Sequence, residues 1–183
     1  ERVASHTGSG WEALSYDFTG AMPADQTKIA FFNDLSQQGD GSADWTIHID
    51  NLAQSTGGDT GGTDPEPPVS ATIALPVDFE EAADAYEIAG FDGGVASVEA
   101  GPDGAVSLKY VKGAGQNWAG VWINLDTVVD AANGEIITAD VHSTVARDIT
   151  LKFDAANVER VASHTGSGWE ALSYDFTGAM PAD

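Results

Sequence analysis

The chain has 183 residues, 29 of them acidic and 7 basic, for a formal net charge of −22, and it has no cysteine. So acidic a surface repels polyanions, which sets aside nucleic acid and anionic membranes as partners. The lack of thiols excludes disulfides and cysteine-based metal centres, and no apolar run approaches the roughly 20 residues of a spanning helix.

Residues 1–25 recur letter for letter at 159–183, a period of 159 − 1 = 158 residues. Such identity marks a tandem array and has to be recognised before a fold is assigned. Between the copies, residues 55–70 are mostly Gly, Thr, Asp and Pro, a spacer that stiffens toward its proline end. Residues 1–54 therefore read as the C-terminal part of one repeat and 71–183 as the N-terminal part of the next. Residues 26–54 are expected either to fold back on 71–183 and complete one sandwich, or to be completed by a neighbouring molecule. A spacer of this length reaches about 50 Å at about 3.3 Å per residue, so folding back is feasible. In that case the two identical copies compete for one place.

The elements that follow are short and alternating. Leu14, Tyr16 and Phe18 share one face of a strand, and 28–32 is a second strand ending at Asn33-Asp34. Trp45, Ile47 and Ile49 face one way, with Thr46, His48 and Asp50 opposite. Beyond the spacer, strands are predicted at 72–75, 77–80, 86–91, 95–99, 105–111, 118–125, 135–143 and 148–154. The second copy adds 160–163 and 169–176. The one helical candidate is 80–86. Turn signals such as Asp40-Gly, Asp92-Gly, Pro102-Asp-Gly and Asn133-Gly recur every 8–12 residues, the pattern of an antiparallel β-sandwich or barrel. A unit of about 140 residues is large enough for one core.

The strand Gln116-Asn-Trp-Ala-Gly-Val-Trp-Ile-Asn-Leu125 carries the clearest chemistry. Its odd positions (Ala119, Val121, Ile123, Leu125) form a core face, while Gln116, Trp118, Gly120, Trp122 and Asn124 share the other. Two indoles about 13 Å apart, flanked by amides, suit the apolar faces and hydroxyl edges of sugar rings. Lys112, Asp140 and His142 are candidate rim groups. The alternatives are that the indoles lie beneath a covering loop, or that they join neighbouring units. Trp45 reads as a core residue, and Trp11 with its copy Trp169 as a plug at the sandwich end.

No catalytic constellation emerges. The four histidines lack metal-site spacing, Ser5-His6 point to opposite faces of a strand, and Gly113-Ala-Gly115 lacks the remainder of a dinucleotide loop. No pair of acids is isolated in an apolar setting, as a general acid would require. The chain is expected to be non-catalytic.

Several phrases are familiar: Leu75-Pro-Val-Asp-Phe-Glu80, Phe91-Asp-Gly-Gly94, Val111-Lys-Gly-Ala-Gly-Gln-Asn-Trp-Ala-Gly120, Trp169-Glu-Ala-Leu-Ser-Tyr-Asp-Phe176, and Gly39-Asp-Gly-Ser-Ala-Asp-Trp-Thr-Ile-His-Ile-Asp-Asn-Leu52. Together they resemble the carbohydrate-binding-module-like jelly-roll domains of secreted marine-bacterial proteins. The resemblance implies a jelly roll of two antiparallel sheets, exported, non-catalytic and directed at polysaccharide. It also implies a structural calcium where Asp78 and Glu80 of an opening strand meet Asp50 of a closing one. The loop from Asp40 to Asp44 is a second calcium candidate, since its alternating oxygens resemble part of a calcium loop. The rival expectation is a structural repeat of a surface adhesin, stalk or filament whose units contact or complete one another.

Overall fold

The computed structural model describes residues 27–55 and 73–179. The strand expected around Leu14, Tyr16 and Phe18, and most of the spacer, lie outside the described residues. Among the described residues there are ten strands: β1 (Lys28–Asn33), β2 (Thr46–Ser55), β3 (Glu87–Phe91), β4 (Gly94–Ala100), β5 (Val106–Lys112), β6 (Gly120–Asn124), β7 (Ile136–Ser143), β8 (Arg147–Phe153), β9 (Val158–His164) and β10 (Gly168–Asp175). They form a β-sandwich of two antiparallel five-stranded sheets, in the orders β3-β6-β1-β8-β9 (the front sheet) and β10-β7-β2-β5-β4 (the back sheet). Among the described residues the only helical structure is three single 3-10 turns. The helix expected at 80–86 is one of these, Ala83–Ala85, because a segment so short cannot repay helix nucleation.

β1 and β2 precede the spacer in sequence, yet each runs down the centre of a sheet. β1 lies between β6 and β8, with Phe31 opposite Val121 on one side and Leu151 on the other. β2 lies between β5 and β7, with Ile49 opposite Leu108 and Val141. Alternation aims Ile29, Phe31, Ile47 and Ile49 inward, and all four are fully buried. Facing them are Val121, Ile123, Leu151, Phe153, Tyr110, Val141, Leu172 and Tyr174. Each side chain so buried contributes roughly 1.5–3 kcal/mol by leaving water.

Among the described residues, 73–75 and 77–80 do not form the strands predicted there and instead brace the chain against the sandwich: Ile73 N–H donates to Asp126 Oδ2, and Val77 makes one isolated bridge with Leu52. A bulge between Asp50 and Ala53, with Asn51 at φ 47°, re-aims β2 toward that bridge.

The duplicated segment supplies β9 and β10, one edge strand of each sheet. The corner between them is pinned by buried His164, whose Nε2 lies 3.0 Å from the carbonyls of Val141 and Gly168. Glu170 accepts from the Thr165 hydroxyl and from the N–H groups of Thr165 and Ser167, which hold its carboxyl down at about 2. Gly166 and Gly168 sit at φ 87° and 97°, where a side chain would be strained.

Candidate functional site

The outer side of the front sheet holds the site. Lys28, Ala30 and Phe32 are the outward positions of β1. In register across the sheet, Ala30 lies between Trp122 of β6 and Lys152 of β8, and Lys152 is opposite Glu159 of β9. A methyl group between an indole and a long ammonium side chain leaves a trough. One row along, Phe91 is opposite Gly120, and its ring meets Phe32 edge-on at 5.6 Å. A Cβ at Gly120 would stand 2.5 Å from Phe91 Cζ, so glycine between the two tryptophans is what lets Phe91 form the floor. The result is a groove of about 440 Å³ over Ala30, Phe32 and Phe91, walled by Trp118, Trp122, Lys28, Lys152, Asp154 and Glu159.

The two indoles come together as the alternation requires, with one adjustment. β6 begins at Gly120, so Trp118 projects from the turn before it and is 49% exposed. That turn is held from below. Lys112, fully buried, donates from Nζ to the carbonyl of Asn117 at 2.9 Å, and Tyr110 Oη donates to that of Ala119 at 2.6 Å. From the side, Trp118 Nε1–H donates to Asp92 Oδ2 at 2.9 Å. Trp122 is half-buried, with the Lys28 ammonium 4.6 Å from its ring centroid, a cation–π contact. A preset aromatic wall loses little conformational entropy when a ligand docks.

The other expected ligand residues divide. Gln116 is exposed in the turn beside Trp118, and Asn124 shares Trp122's face with its amide on Glu87 Oε2 at 2.8 Å. Lys112 does not join the rim. It points inward in phase with Leu108 and Tyr110, and its ammonium also binds the carbonyls of Asn33 and Asp34, both at 2.7 Å. Burial pulls its pKa down to about 8, opposed by Asp34. Asp140 and His142 lie on β7 of the back sheet, away from the groove. There His142 stands between His48 and Trp169, at ring-centroid distances of 6.1 and 5.5 Å. Trp169 is thus part of that row on the back sheet, beside β7, rather than a plug at the sandwich end. Trp45 is partly buried, with the Arg147 guanidinium stacked 3.9 Å from its centroid. The sequence reading missed Lys28, Lys152 and Phe91; alternation in β1 and β8 already put the two lysines on outward positions.

Of the acids expected to bind calcium, Asp50, Asp78 and Glu80 come within electrostatic reach of one another, joined by Asp140. Burial, reinforced by those three neighbours, pushes the Asp50 carboxyl up to about 6. Asn51 bridges the cluster, its Nδ2 donating to Asp140 Oδ2 at 3.0 Å. Among the described residues, however, no three acids or histidines converge as a cation site. In the loop below β2, Asp40 Oδ1 accepts from Ser42 N–H at 2.8 Å and the Asp44 carbonyl accepts from Arg147 Nε at 2.8 Å, so these oxygens already have partners within the fold.

Among the described residues, no helix is long and apolar enough to cross a membrane. No protein-family model, curated protein or solved structure matches the chain.

Proposed function

We propose that the protein is a non-catalytic, extracellular repeat module that binds polysaccharide through the front-sheet groove. One observation carries this reading: a single groove takes both Trp118 and Trp122 as walls, over an apolar floor, on a face turned away from the core. Sugar rings stack their C–H faces on such aromatics, while flanking amides and charged groups address the hydroxyls. Binding should be followed by affinity electrophoresis in gels of candidate polysaccharides. Trp118→Ala and Trp122→Ala are each expected to weaken retention about tenfold, about 1.4 kcal/mol; unchanged retention of both would overturn the platform.

The jelly-roll and repeat elements of the reading draw support from the strand pairing. With β1 and β2 read after β10, the pairs nest: β8 with β9, β7 with β10, β6 with β1, β5 with β2. Successive pairs alternate between the sheets, as in an antiparallel ribbon wound into a jelly roll. The order that nests is the order a tandem repeat would have, since 159–183 duplicates the segment directly before β1. This also favours the second reading, a structural repeat of a surface stalk, adhesin or filament. Electron microscopy of the longer array separates the two: regular fibres fit the structural repeat, and separated beads fit the binding module. Calcium at Asp50, Asp78 and Glu80 would neutralise the clustered charge there.

A further inference from the structure

From the charges of the groove we infer that its ligand is an anionic saccharide, a sugar ring bearing a carboxylate or a sulfate. The inference rests on the saccharide reading and names the class of sugar.

It begins with where the few cations go. Among the described residues six side chains are basic. Lys109 is paired with Glu99 at 2.9 Å, and Arg147 with Asp34 at 2.7 Å. Lys112 is buried on three carbonyls. Arg160 donates to the carbonyls of Asp175 and Glu159 and lies over the Phe176 ring. Only Lys28 and Lys152 remain, and neither has a carboxylate partner among the described residues. Both line the groove that holds the two indoles.

In a chain of net charge −22, both stand without an ion pair on one face, on adjacent strands at diagonal positions about 7–8 Å apart. Lys28 is held over Trp122, so its charge is fixed beside the surface on which a sugar ring would lie. A ring stacked between Trp118 and Trp122 would bring a ring substituent to the two ammonium groups. A carboxylate or sulfate there gains charge-assisted hydrogen bonds that a hydroxymethyl group cannot make. Asp154 and Glu159 stand across the ladder from Lys28 and Lys152, neither within ion-pair distance, and as acceptors they suit the sugar hydroxyls. The acidic remainder of the surface repels long polyanions at low salt, but screening over a few ångströms at high salt leaves the short contacts in place.

The test uses the full chain in affinity gels at about 0.5 M salt, where the screening length is only a few ångströms. Three probes are compared: polygalacturonate, a sulfated galactan, and a neutral galactan. At least one anionic polymer is expected to retain the protein tenfold or more better than the neutral one, and which one does so identifies carboxylate or sulfate as the group recognised. Lys28→Gln with Lys152→Gln should remove most of that preference, and Asp154→Asn with Glu159→Gln should increase it. Circular dichroism verifies that the variants fold; the Asp154/Glu159 variant keeps the idea testable if loss of the Lys28 contact disturbs the sheet. Retention by the neutral galactan alone, lost in Trp118→Ala, would overturn the anionic preference while keeping the saccharide reading. Anionic retention indifferent to the lysines would also overturn it. No retention by any of the three would overturn both.

Discussion

At the scale of the residue, the informative groups are those whose surroundings conflict with their chemistry. Asp50 is one: with its carboxyl raised to about 6 from an ordinary 3.8, the folded protein binds a proton more readily than the unfolded chain between those values. Stability therefore falls as pH rises from about 4 to 6. Asp50→Asn is expected to raise stability at pH 7 by about 1–2 kcal/mol, after allowance for partial exposure, and to flatten that part of the pH profile. Urea titrations across this range measure it. Calcium bound at the cluster would appear in the same experiment as a metal-dependent rise in the urea midpoint that Asp50→Asn abolishes. Tyr174 is another such group, its ring buried and its hydroxyl without a partner among the described residues. Tyr174→Phe removes a desolvated hydroxyl and leaves the ring, so it should be neutral or stabilising by up to about 1 kcal/mol. Lys112 has the opposite character, since its ammonium satisfies three carbonyls. Lys112→Met removes that donor from all three, leaving only the Asp34 carbonyl with another, the Gln37 N–H, and should destabilise by about 3 kcal/mol, with loss of the fixed position of Trp118.

At the scale of the element, alternation made much of the fold legible. β7 alternates cleanly, as does β2 as far as its bulge, and the core face of β6 holds Val121 and Ile123 as its parity requires. Lys112 was legible on the same grounds, two residues beyond Tyr110 and four beyond Leu108, but its charge argued for the surface. Only the three carbonyls collected from β1 and the Trp118 turn make its burial tolerable, and such long-range partners leave no local pattern. Asp140 and His142 illustrate a further limit. Parity told that they face outward, but not which sheet β7 joins, and that decides whether they meet the indoles. The groove floor depends likewise on a glycine whose neighbour is distant in sequence. Gly120→Ala drives a methyl into Phe91 and should cost about 1–3 kcal/mol while narrowing the groove, readable as lowered melting temperature together with lost retention.

At the scale of the whole molecule, the repeated segment is the organising fact. The place filled by β9 and β10 suits residues 1–25 equally in side chains, since the two sequences are identical. The chain path also permits it: Phe176, just past β10, meets Phe153 edge-on at 4.8 Å, and Phe153 is the register partner of Ile29 in β1. The end of β10 and the start of β1 therefore share one corner. The expected consequence is redundancy. Leu172→Asp with Tyr174→Asp, or Leu14→Asp with Tyr16→Asp, should each leave a folded monomer, whereas all four together should unfold it. Unfolding by the Leu172/Tyr174 pair alone would mean that the first copy cannot take the place of the second.

The front-sheet groove is tested most directly by the indole N–H resonances of the tryptophans, followed during titration with an oligosaccharide of a polymer that retains the protein. The signals of Trp118 and Trp122 are expected to shift together and saturably, with those of Trp45 and Trp169 unmoved. Shifts confined to Trp169 on the back sheet, or binding that moves neither Trp118 nor Trp122, would contradict the assignment of the groove.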